Sequence, residues 1–119
     1  MRELLVATTA VAGLSAGPAL AANSTKHLGK VRFETSCKPA AQKLFNQGML
    51  YQHSFWYRSS KQAFEGALNA DPDCAMAYWG IAMTYYHQIW APPGPKDLAA
   101  GRQAASKADE ATARGDQLG

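Results

Sequence analysis

The chain repeats itself. Laid without a gap on residues 75–90, residues 41–56 match at five of sixteen positions: Ala41 on Ala75, Met49 on Met83, Tyr51 on Tyr85, His53 on His87 and Trp56 on Trp90. A shift of 34 residues is the mark of architectures in which one supersecondary unit recurs and each unit buries its apolar face against the next. The unit here is helical. Leu44, Phe45, Gly48, Met49, Tyr51 and Gln52 recur at helical spacing after Pro39, a residue suited to the first turn of a helix.

The rest of the pattern continues in the same way. Phe55-Trp56-Tyr57 interrupts the first helix. Ser59 or Ser60 is placed to cap a second, in which Ala63, Phe64, Ala67 and Leu68 form one stripe. Asp71-Pro72-Asp73 ends that helix, because the residue before a proline avoids helical geometry. A third helix is expected over 75–87, and Ala91-Pro92-Pro93-Gly94-Pro95 is a firm break. Asp97 is then a candidate cap for a fourth helix reaching about Arg114, with a small-residue stripe of Gly101, Ala104, Ala105, Ala108 and Ala111. No strand pattern occurs after residue 38. Before it, Val31 and Phe33 alternate with charged residues and allow a short extended piece within an irregular lead-in over 22–38.

The first unit resembles the tetratricopeptide repeat (TPR), whose two antiparallel helices recur every 34 residues with the pattern W-x2-L-G-x2-Y, A-x3-F, then Ala and Pro. Leu44 stands at the leading position, followed by Gly48, Tyr51, Phe64, Ala67 and Pro72; Gln47 and Ser60 depart from the pattern. In the second unit Tyr78, Ile81, Ala82 and Tyr85 fit the first helix, while the turn over 90–96 is longer than the family's. Residues 53–57 and 71–83 are also similar to exported bacterial TPR proteins of several hundred residues. The resemblance implies an all-α fold of antiparallel helix pairs stacked as a short solenoid, with pairs at 39–73 and 75–114 and a tail at 115–119. Such stacks are stable from about three units with a polar cap. A longer chain or self-association is therefore expected.

In TPR stacks the first helix of each pair lines a concave groove. Carried over, the groove residues are Gln42, Phe45, Met49, Gln52 and His53, then Met76, Trp79, Met83, Tyr86 and His87. Methionines that adapt their shape and aromatics that anchor suit a helical or extended peptide. Equally, this surface could be covered by a further unit or by the lead-in. His53 and His87 occupy equivalent places and would face the same groove, where two imidazoles could share zinc or copper. A catalytic zinc normally takes three protein ligands, and no Asp, Glu or Cys stands near to complete the set; His27 could, from the irregular lead-in, and the alternative is two polar residues near helix ends. Cys37 and Cys74 precede helices that the family runs parallel and adjacent. The resemblance thus implies neighbouring thiols and a disulfide closing a 37-residue loop, with two free buried thiols as the alternative.

Residues 1–21 read as a secretory signal: a basic start at Arg2, an uncharged apolar run over 4–17, and Ala19-Leu20-Ala21 before the cut. That run is shorter than the roughly 20 residues of a membrane span. The exported product is expected in the periplasm or outside the cell, where disulfides persist, without a membrane span after cleavage. The net charge of +3 comes from scattered Lys and Arg with no interleaved aromatics, which argues against nucleic acid. There is no G-x-S-x-G, H-E-x-x-H or phosphate-cradling glycine loop, so no enzymatic activity and no cofactor are expected. The reading is an exported scaffold that binds a protein or peptide, or further repeats of its own chain. The alternatives are a metal-binding role for His53 and His87, and a purely structural N-terminal cap.

Overall fold

The computed structural model describes residues 25–118, with side chains to residue 115. The signal segment lies outside the described residues. These fold into four helices: α1 (Pro39–His53), α2 (Tyr57–Ala70), α3 (Ala75–Tyr86) and α4 (Pro95–Leu118). No strand occurs among the described residues, and no helix is long and apolar enough to cross a membrane. Val31 and Phe33 do not pair as a strand. The lead-in is instead held by the Gln42 side chain, whose amide donates to the Phe33 carbonyl (2.7 Å) and accepts from the Thr35 backbone N–H (2.8 Å).

Each helix packs against its successor. The contacts between α1 and α2 pair late residues of one with early residues of the other: the Ser60 hydroxyl donates to the Gly48 carbonyl at 2.8 Å, and Gly66 lies against Leu44. These two helices are therefore antiparallel, as a connection of only three residues requires. The same reversal relates α2 to α3, where Phe64 lies on Gly80 and Lys61 sits over the Tyr85 ring. It recurs between α3 and α4, where Gly101 meets Tyr85 and Arg114 reaches Asp73. Consequently α1 and α3 run side by side in the same direction. They are joined near their starts by the Cys37–Cys74 disulfide, with a Cα separation of 4.9 Å, and near their ends by the Gln52 amide donating to the Met83 carbonyl.

The core lies where α1, α2 and α3 meet. Ala41, Phe45, Met49, Phe64, Ala67, Cys74 and Ala77 are buried together, and Phe33, Phe45 and Phe64 form a column with ring centroids 5.7 and 5.5 Å apart. Two glycines receive the Phe64 ring: a Cβ at Gly48 or at Gly80 would stand 2.6 Å from it. Around this core, helix ends differ from the sequence expectations in definable ways. Ser60 does not cap α2. The helix begins at Tyr57, after Trp56 stacks on Tyr51 (5.8 Å), and Ser60 becomes a buried internal residue. Nor does Asp97 cap α4, which starts at Pro95; Asp97 lies in its first turn, where a carboxylate complements the helix dipole. The same helix passes Arg114 and takes in the residues read as a tail as far as Leu118. Its buried stripe is Ala104 and Ala111, and Ala105 faces out.

Candidate functional site

The C-terminal half of α1 and α3 from Trp79 onward, with the turns that follow them, enclose an open depression of about 430 Å³. The floor is Met49, 7 % exposed, beside Met83. Trp79, Gln52, His53 and His87 stand around it, and the outer wall is Phe55, Tyr57, Ile89 and Trp90. Ile89 is 84 % exposed and Trp90 70 %, a large apolar presentation for so small a chain.

This wall is built by two turns of unusual backbone. Phe55 and His87 both have φ of +61°, in the left-handed region that side chains other than glycine seldom occupy. His87, at ψ −154°, terminates α3 one residue earlier than the periodicity predicts. The turn carries its imidazole across to the Tyr57 ring, 5.5 Å away. Phe55 in turn meets Tyr57 and Trp90 edge-on, at 6.4 and 5.9 Å. The aromatic rim is thus a continuous chain of rings from His87 through Tyr57 and Phe55 to Trp90.

Six of the groove residues carried over from the repeat come together here: Met49, Gln52, His53, Trp79, Met83 and His87. The other four lie elsewhere. Phe45 is fully buried in the core, because the lead-in and Phe33 cover the start of α1. Gln42 is engaged with that same lead-in and with Asn46. Met76 packs against the core, and Tyr86 faces a separate cleft between α3 and α4 with Pro93, Leu98 and Gly101. Phe55, Tyr57, Ile89 and Trp90 were not anticipated as site residues. For Phe55 and Tyr57 the signal is the Phe55-Trp56-Tyr57 triplet, which reads as a bulky turn but places two of its three rings in the rim.

The polar groups are few. Among the described residues, no Asp, Glu, Lys or Arg lines the depression. Among the described residues no three His, Cys, Asp or Glu side chains gather where they could hold a metal ion. Gln52 is fixed at both ends: its amide nitrogen reaches the Met83 carbonyl, and its oxygen lies 3.1 Å from the buried Ser60 hydroxyl. Lys61, outside the depression, pairs with Glu65 at 3.1 Å, and this hydrogen bond holds its ammonium above the usual lysine pKa. Comparison with protein-family models, curated proteins and solved structures finds no match to the chain.

Proposed function

We propose that the chain is an exported TPR-type scaffold whose depression between α1 and α3 binds a peptide segment of another protein. The reading is supported by the 34-residue self-similarity together with consecutive antiparallel helices in which α1 and α3 lie side by side. The observation that carries it is the rim: exposed Trp90, Ile89 and Phe55 around a methionine floor. Rigid aromatics supply contact area at small entropic cost, and methionine adapts to differing side chains. Gln52 and Gln88 add amide groups able to meet a peptide backbone. The Cys37–Cys74 disulfide supports a working place in an oxidising compartment.

Peptides selected from a random display library on the oxidised protein, with chelator present, test the reading. Binding in the micromolar range, weakened at least about tenfold by Trp79→Ala and by Trp90→Ala, is the expected result, a loss of about 1.4 kcal/mol or more for each anchor. Phe33→Ala, outside the depression, should leave it unchanged. Peptides that bind the Trp79 and Trp90 variants as well as the parent would overturn it.

A further inference from the structure

The repeat duplicates a pair as well as single residues. Met49 precedes His53 by four, and Met83 precedes His87 by four. On α1, positions four apart share one face, which sets Met49 and His53 on the same side; His87 lies just past the end of α3, and its turn brings the imidazole to the depression that Met83 also lines. Because α1 and α3 run side by side, both pairs open into the same depression, and all four side chains line it.

We propose that Met49, His53, Met83 and His87 form a binding site for a soft monovalent d¹⁰ cation, copper in its cuprous state. The donor chemistry selects this ion. Thioether sulfur is a soft ligand that favours cuprous copper, and imidazole accommodates it. Thioether and imidazole ligands bring no negative charge, and among the described residues no carboxylate lines the depression, so a divalent ion would keep its full charge against an apolar wall. A single positive charge is less costly there, and Trp79 and Trp90, which line the same depression, carry ring faces of the kind that attract a cation. The imidazole-only set expected from His53 and His87 lacks a third ligand; the sulfurs of Met49 and Met83 complete it. The disulfide also matters. Cys37 and Cys74 are bonded to each other, so no thiol among the described residues competes for the metal. The turn at His87 brings its ring into the rim at a backbone angle a side chain seldom takes, which fits a residue placed for its nitrogen rather than for helix continuity. Nothing in this assignment depends on a peptide partner.

Silver(I) serves as a redox-inert probe in chloride-free buffer with the oxidised protein, followed by calorimetry and by methyl resonances of ¹³C-labelled methionine. One silver per chain is expected, with shifts at Met49 and Met83 and none at Met76, which packs against the core. Cuprous copper, supplied anaerobically with a chromophoric competitor, should displace silver, and equimolar zinc should not. The paired exchange M49L with M83L conserves volume, and H53Q with H87Q keeps the sites polar; circular dichroism checks that each folds. Each pair should weaken binding at least tenfold. Absence of saturable binding, affinity unchanged in either double variant, or displacement by zinc would overturn the proposal. Loss of peptide binding with silver binding intact would sink the scaffold reading alone.

Discussion

Phe55 shows how one residue can serve a surface against the stability of its own backbone. Its φ of +61° places a bulky side chain in the left-handed region, at a cost of order 1 kcal/mol, while its ring is more than half exposed and recovers little by burial. Phe55→Gly should therefore raise the melting temperature, by a stabilisation of about 0.5–1 kcal/mol in thermal or urea unfolding. The same exchange removes the ring that bridges Tyr57 and Trp90, so it should weaken whatever the depression binds. A gain in stability with a loss of binding is the expected combination; a destabilised variant would mean that the ring contacts outweigh the backbone term. Ser60 makes a complementary point. It departs from the alanine of the TPR pattern, and its hydroxyl satisfies the Gly48 carbonyl while lying 3.1 Å from the oxygen of Gln52, whose amide nitrogen reaches α3.

At the scale of helices, periodicity carried the fold because the apolar stripes are regular. The onset at Pro39, the end before Asp71 and the break after α3 were all legible from proline placement and 3.6-residue spacing. What the spacing did not reveal were the places where one side chain overrides local preference. Trp56 stacks on Tyr51 and starts α2 three to four residues ahead of the serine caps, and His87 turns out of α3 toward Tyr57. The site was half legible for the same reason. Equivalence one repeat apart located Met49, His53, Met83 and His87, but it could not tell that the lead-in buries Phe45, since the lead-in has no counterpart in the repeat. The glycines set the spacing between elements. Gly80 lets α3 approach Phe64 as Gly48 lets α1 approach it, although only Gly48 stands at a recognised repeat position. Gly80→Ala would place a methyl 2.6 Å from a fully buried ring that has no room to retreat. Overpacking of this kind costs about 1–3 kcal/mol, more than the roughly 1 kcal/mol that alanine gains in helix propensity, so chemical denaturation should show a net loss.

For the whole molecule, the disulfide outweighs any single contact. Four helices with so much small-residue packing in α4 bury a modest core, and a bond closing 37 residues removes unfolded-state entropy worth about 4 kcal/mol in the chain-entropy model. Replacing both Cys37 and Cys74 by alanine should lower unfolding free energy by about 2–4 kcal/mol, measured against the oxidised parent in urea. The loss should be larger than for any of the single substitutions above. An equal melting curve for the two proteins would show that the Asp71 carboxylate, which accepts the Lys38 backbone N–H at 2.9 Å, already holds that end alone.

The placement of that bond has a mechanical consequence. With α1 and α3 welded at their beginnings by a covalent bond and held near their far ends by a single glutamine amide, the two rods act like the arms of a clothes peg, sprung at one end and lightly latched at the other. Whatever settles between the jaws reinforces that latch. Occupancy should then tighten amide hydrogen exchange most at the tips of both arms, leaving the sprung end almost unaltered.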